Sequence, residues 1–298
     1  MTMPERFPIV DLQVGFPFTS VEEKKATYDF FRPLLKDTQS ARDFEFPAEY
    51  MFKDVPDLVE PGTDVIQWTV DQMDRYGIAV GMVGLSERGL EARRRYPDRF
   101  VVQISVNPHE GVDALRKIAR AKAEHRIVSV TCFPAGQVPQ VPINDKKLYP
   151  VYAKCVELDV PMCVNAGVPG PRMPMACQHV ELLDEVCYDF PELTLVIMHG
   201  AEPWTALAVK LMLKWPGLHY MTSAFAPKHY PKDIIDFANT RGADKVMYCG
   251  YPSGLTYERI FRDLPGVGFK DKVWPKFLGE NARRVFKIDE ALASQRTS

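Results

Sequence analysis

The sequence predicts an α/β fold, a (β/α)8 TIM barrel forming a single domain over residues 1–298, and three observations carry that prediction. Short apolar runs alternate with helix-like segments, the pattern of a parallel sheet covered by helices. The alternation repeats eight times, which favours closure into a barrel over an open doubly wound sheet. No Gly-x-Gly-x-x-Gly follows the first strand, so a dinucleotide-binding version lacks support. A length of 298 residues with 46% hydrophobic residues suits one such barrel with a substantial core.

The first strand lies in Phe7–Val14, where Ile9-Val10-Asp11-Leu12-Gln13-Val14-Gly15 carries one carboxylate. Strand periodicity sets Asp11, Gln13 and Gly15 on one face. The following strand-like runs are Ile78–Leu85, Phe100–Val106, Ile127–Phe133, Val160–Asn165, Leu193–Met198, His219–Thr222 and Val246–Cys249. Between them fall helix-like segments at Thr63–Tyr76, Gly89–Tyr96, Asp113–Lys122, Leu148–Leu158, Met175–Phe190, Pro203–Trp215 and Pro231–Thr240, with Gly279–Phe286 near the end. In Val112–Ala121, for instance, Val112, Leu115, Ile118 and Ala119 share one helical face.

One insertion breaks the rhythm. Residues 16–62 separate the first strand from its helix and are rich in aromatic side chains: Phe18, Tyr28, Phe30, Phe31, Phe44, Phe46, Tyr50 and Phe52. Thr19-Ser20 followed by Glu22 and Glu23 reads as a helix N-terminus, where a hydroxyl caps free amides and acids suit the dipole. A long loop after a barrel strand sits at the catalytic end, so the insertion is expected to be a lid or a dimer contact.

A net charge of -2 shows no footprint for nucleic acid or an anionic membrane. No apolar run approaches the roughly 18–20 residues that span a bilayer, and Met1–Arg6 lacks a signal peptide's apolar segment. The six cysteines are scattered and form no Cys-x-x-Cys pair, so they read as reduced and buried. The expectation is a cytoplasmic protein with no nucleic-acid and no membrane partner.

Several motifs then carry a resemblance. Tyr96-Pro97-Asp98-Arg99-Phe100 precedes the third strand, and Leu148-Tyr149-Pro150 precedes a helix. Phe190-Pro191-Glu192-Leu193 leads to His199-Gly200, Pro203-Trp204 follows, and Phe277-Leu278-Gly279-Glu280-Asn281-Ala282 closes the chain. In order and spacing these are similar to the amidohydrolase superfamily, a metal-dependent-hydrolase-like barrel family. The similarity is to its branch of aminocarboxymuconate semialdehyde decarboxylase and related aromatic-acid decarboxylases, and it covers nearly the whole chain.

The resemblance implies a divalent metal held by Asp-x-His-x-His on the first strand, a His on the fifth and an Asp on the eighth, with an assisting His on the sixth. This chain keeps Asp11 but places Gln13 and Gly15 at the two histidine positions, Asn165 on the fifth strand and Gly250 on the eighth. Carboxamides are poor zinc ligands and glycine offers no side chain. Histidines 109, 125, 179, 219 and 229 show no His-x-His or i, i+4 spacing that would rebuild a site. No metal and no other cofactor is therefore expected.

The sixth-strand histidine survives as His199. The residues expected at the catalytic face are Asp11, Gln13, Asn165, Arg172, His199, Glu202, Ser223, Lys228, His229 and Tyr251. His199 is the expected proton-transfer group, since imidazole titrates near neutrality. Asp11 is either the acid that orients it or an acid held by backbone amides. Arg172, on a proline-stiffened loop, is expected to clasp a substrate carboxylate. Gln13, Asn165, Ser223, His229 and Tyr251 complete the expected substrate contacts, with the two amides filling the space of the metal.

The resulting expectation is a metal-independent enzyme, a hydrolase or decarboxylase acting on a small carboxylated or cyclic substrate by acid–base catalysis at His199. The alternative is a catalytically inactive barrel that binds a ligand or serves as an accessory subunit. The resemblance also implies a homodimer.

Overall fold

The computed structural model describes residues 3, 4, 6–43, 46, 48–52 and 55–295. Its eight parallel strands are β1 (Ile9–Asp11), β2 (Ile78–Gly84), β3 (Phe100–Ser105), β4 (Ser129–Cys132), β5 (Met162–Asn165), β6 (Leu195–Met198), β7 (Leu218–Met221) and β8 (Val246–Met247), paired in sequence order. This is the barrel the alternation predicts. Two apolar clusters follow from its geometry. Val10, Leu12, Val80, Met82, Val101, Cys163, Val196, Met198, Met221, Met247 and Cys249 fill the interior. A larger set, including Ile9, Val102, Val130, Val164 and Ile197, packs between sheet and helices. Alternate residues of one strand thus serve opposite faces.

Several helices begin where a side chain satisfies the free amides of a first turn. Asp64 accepts from the Ile66 and Gln67 N–H groups and starts Val65–Arg75. Ser86 accepts from the Gly89 N–H, so that helix runs Glu87–Arg95 and starts two residues earlier than periodicity suggests. Ser20 accepts from the Glu23 N–H at 3.1 Å and starts Val21–Tyr28 in the insertion, as its capping signature predicts. The expected helix Met175–Phe190 is instead a 3-10 turn, Ala176–Gln178, and a shorter helix, Leu182–Asp189. His179 breaks the two apart: its Nδ1 accepts from the Glu181 N–H at 3.2 Å, and its ring lies 4.0 Å from that of Trp204. Three helices escaped the sequence reading, Thr38–Asp43, Tyr257–Asp263 and Ile288–Gln295. No helix among the described residues is long and apolar enough to cross a membrane.

The barrel's seam lies between β8 and β1. Seven ladders link β1 through β8, and none joins β8 to β1 among the described residues. Asp11 bridges this gap. Its Oδ1 accepts from the Gly250 N–H at 2.8 Å and the Gln13 N–H at 3.1 Å, and its Oδ2 accepts from the Tyr257 hydroxyl at 3.0 Å. The carboxylate is fully buried, so burial pushes its pKa up while these three hydrogen bonds pull it down. Behind the seam, the Asn281 amide donates to the Ala243 and Val246 carbonyls, tying the last helices to β8.

This bridge has measurable consequences. Tyr257→Phe leaves a buried carboxylate oxygen short of a donor and is expected to lower stability by about 1–3 kcal/mol. Gly250→Ala places a Cβ against the Asp11 carboxylate and 2.8 Å from the Tyr248 hydroxyl. It is expected to lower stability by about 1–3 kcal/mol as well. Urea unfolding checks both, and wild-type midpoints would refute the bridge as a stabilising element.

Candidate active site

The carboxyl ends of the strands form a mouth, and its backbone is unusual. Left-handed φ angles occur at His199 (59°), Gly200 (97°) and Ala201 (59°) after β6, at Ala224 (70°) after β7 and at Tyr251 (59°) after β8. Each non-glycine residue in this region costs roughly 1–2 kcal/mol, and such costs gather at functional sites. The strain turns His199 into the mouth. Its N–H donates to the buried Ser223 hydroxyl at 2.9 Å, and its ring meets the Tyr251 ring edge-on at 5.4 Å. Its Nδ1 is sealed from solvent without a hydrogen-bond partner among the described residues. Burial pulls its pKa down to about 4, so the imidazole is neutral at physiological pH.

Asn165 ends β5 and pairs in register with Met198, one residue before His199. The Gln13 amide oxygen accepts from the Cys249 thiol at 3.9 Å. Ser223, expected to touch substrate, instead supports the His199 backbone. His229 and Lys228 stand exposed on the rim. Glu202 is half-buried nearby: burial raises its carboxyl pKa, and His229 opposes the shift.

Two expectations change with the geometry. Asp11 faces the seam, its hydrogen-bond partners are Gly250, Gln13 and Tyr257, and His199 is not among them. The reason is register. β1 ends at Asp11 with an irregularity at Ile9/Val10, so Val10 and Leu12 take the interior. Asp11 is therefore the acid held by backbone amides, and a catalytic role gives way to a structural one. Gln13 and Gly15 follow the strand and do not continue its alternation. Arg172 is likewise directed away from the mouth. Its guanidinium donates to Asp37 at 2.8 Å, Gln39 at 3.1 Å and Ser40 at 3.3 Å, and it lies 4.5 Å over the Tyr50 ring. It fastens the insertion instead of presenting a free cation to a substrate.

The insertion itself covers the mouth with rings. Tyr28 lies 5.6 Å from Phe46, Phe46 lies 5.4 Å from Phe52, and both Phe46 and Phe52 lie 6.2 Å from Tyr251. Phe46 is fully buried there. Phe44 falls outside the described residues. Polar ties hold the segment at its edges: Tyr50 donates to the Gly170 carbonyl at 2.8 Å, and Arg88 donates to Glu23 at 2.7 Å. The role of Arg172 was hidden because its partners lie some 130 residues earlier in the chain.

The donors at the mouth do not fit a metal. Both Asp11 oxygens are engaged by hydrogen-bond donors, and Gln13 and Asn165 are neutral amides. A Cβ at Gly15 would meet the Ser253 hydroxyl at 2.5 Å, and one at Gly250 would strike Asp11. Among the described residues, no three His, Cys, Asp or Glu side chains gather to hold an ion. The six cysteines are free and buried.

Comparison with known proteins places this geometry in context. The family profile for amidohydrolases matches residues 36–288. An uncharacterized TIM-barrel protein from Bordetella bronchiseptica is 20% identical over 95% of this chain and 99% of its own, with a TM-score of 0.68. A 5-carboxyvanillate decarboxylase from Novosphingobium aromaticivorans, complexed with manganese and 4-hydroxy-3-methoxy-5-nitrobenzoic acid, is 16% identical over 96% and 99%, with a TM-score of 0.66. The 4-oxalomesaconate hydratase of Rhodopseudomonas palustris is 14% identical over 97% and 98%, with a TM-score of 0.61. At these identities the likeness is one of fold. No curated protein matches the chain.

Two expectations follow from the site. His199 and the buried His219 have pKa values lowered to about 4 and about 3, below the ordinary 6.5. Burial is the first cause for both, and Lys245 and Arg284 add to it for His219. The unfolded chain then binds more protons between those values, so stability falls as pH drops from 6.5 toward 4 and is level with respect to these groups above 6.5. His199→Asn should remove about 1–3 kcal/mol of that fall in unfolding measured across the range. An unchanged pH profile would contradict the buried neutral imidazole. Arg172→Ala should speed limited proteolysis within residues 16–62 several-fold while changing global stability by less than about 1 kcal/mol. Equal cleavage rates would remove Arg172 as the fastener.

Proposed function

The chain belongs to the amidohydrolase family, and on that premise we propose an enzyme acting on a small carboxylated or cyclic substrate, with His199 as its acid–base group and without the family's metal. The observation that carries this reading is His199 itself. A neutral imidazole stands at the mouth on left-handed backbone, with an unpartnered Nδ1. A merely inherited histidine would relax toward a hydrogen-bond partner or solvent.

Two reactions suit this arrangement. In hydrolysis of a lactone or activated amide, the imidazole takes a proton from attacking water, and the Gln13 and Asn165 amides donate to the oxygen that gains charge. In decarboxylation, the carbon–carbon bond breaks, its electron pair remains on the substrate carbon, and a protonated His199 delivers the proton. A substrate carboxylate beside His199 raises the ring's pKa by charge attraction and so supplies the protonated form. The decarboxylase among the structural relatives supports an acid as substrate. Tyr251 buttresses the imidazole, and His229 is a rim contact for a ligand. The insertion acts as the lid over this chamber, with Phe31 and Phe46 turned inward. Phe30, Tyr50 and Met51 on its outer side are the surface available to a second copy in a homodimer.

The first measurement is elemental analysis of protein purified without a metal-affinity step, followed by assays on lactones, activated amides and aromatic acids. Metal below about a tenth of an equivalent is expected. Turnover in one substrate class should fall about 10²–10⁴-fold in His199→Ala. Stoichiometric zinc or manganese, or turnover untouched by His199→Ala, would overturn the reading. Ligand binding with no turnover across the panel would establish the inactive barrel instead.

A further inference from the structure

The opposite end of the barrel carries a second cavity of about 210 Å³, unrelated to the mouth. Val128, Pro161, Phe286 and Ala291 supply its apolar lining, and Lys122, Arg126, Asp159, Lys287, Glu290 and Ser294 its polar collar. Val128 and Pro161 stand just before β4 and β5, which places the cavity at the amino ends of the strands.

Outside the mouth, left-handed non-glycine residues occur at Arg126 (φ 50°), Asp159 (φ 49°) and Lys287 (φ 50°), and all three line this cavity. Each follows a helix: Arg126 follows Val112–His125, Asp159 follows Tyr149–Glu157 and its cap Leu158, and Lys287 follows Asn281–Phe286. Glycine takes this position without steric cost, and charged side chains stand there instead. Cations suit a helix C-terminus, which explains Arg126 and Lys287, but an acid does not. Asp159 is engaged as the ion-pair partner of Lys287, and Arg126 donates to the Ser294 carbonyl.

That leaves Lys122. It is half-buried at the cavity wall, and its ammonium makes no hydrogen bond or ion pair to the described residues. Burial and the neighbouring Lys287 ammonium both disfavour its charge, and Glu290 opposes them from the rim. The collar holds three cations against two acids, and one acid is already paired. A desolvated ammonium beside a second ammonium is stabilised by an anion placed between them.

We infer that this cavity is a binding site for a small oxyanion, seated on Lys122 beside Lys287, with any short apolar tail resting against Pro161 and Phe286. It would act on the protein independently of the mouth.

The test uses the full chain and two probes, inorganic phosphate and propionate, titrated calorimetrically against sodium chloride at matched ionic strength. Binding of at least one probe is expected, and which one binds identifies the head group. Lys122→Met keeps the aliphatic stem and should weaken that binding about tenfold or more, a change of about 1.4 kcal/mol. Lys117→Met, an exposed position on the same helix, should leave it unchanged. Glu290→Gln, which removes an exposed acid at the rim, should tighten it about two- to fivefold and keeps the test decisive if Lys122→Met fails to fold. Heats equal to chloride for both probes would overturn the inference. So would phosphate or propionate binding that Lys122→Met and Glu290→Gln leave unaltered.

Discussion

The Asp11 carboxylate is the contact on which the barrel's closure rests. It sits where the strand ladder lapses, between the first and last strands, and offers two oxygens to three donors from separated parts of the chain. An isolated carboxylate in that place would be costly, because a buried charge without partners forfeits its hydration. Three hydrogen bonds offset much of that penalty. The same engagement leaves neither oxygen free for an ion, so one residue accounts both for the closed seam and for the poor fit to a metal.

Glycine at position 250 belongs to that arrangement. Its N–H approaches Asp11 closely, and its missing Cβ leaves room for the carboxylate and the Tyr248 hydroxyl. A larger side chain could not occupy position 250 while Asp11 holds its present hydrogen bonds. The backbone N–H groups of Gln13 and Gly250 both donate to the retained Asp11, so positions 11, 13 and 250 form a connected set. Ser253 fills the space beside Gly15, and Phe46 of the insertion packs 6.2 Å from Tyr251.

Covering the mouth changes its electrostatics. The insertion's Phe46 packs on Tyr251, whose ring meets His199 edge-on, and burial pulls the imidazole pKa down to about 4. A buried, uncharged base responds strongly to a nearby anion, since charge interactions weaken less there than in water. Polar ties from Arg172 join the apolar contacts of Phe31 with Phe133 and of Phe46 and Phe52 with Tyr251 in holding the insertion. Left-handed backbone after the last three strands carries His199 and Tyr251, whose rings meet edge-on.

Much of this was legible in the residues. Eight apolar runs with intervening amphipathic segments specify a parallel barrel, because burial on both faces demands such runs and no other order of elements supplies them. The Ser20 cap, the long insertion, the residues at positions 13, 15, 165 and 250 and His199 are likewise properties of residue type and spacing. Which way Asp11 faces was not legible: it depends on a strand that ends after three residues with an irregular register, and on a tyrosine 246 positions away. Arg172 looked like a free cation on a stiff loop until the fold brought residues 37–40 against it. The sequence by itself determined the barrel and which residue types stand at its mouth. Only the tertiary structure decided which polar groups were already satisfied, because a hydrogen bond between distant segments exists only once the chain has closed on itself.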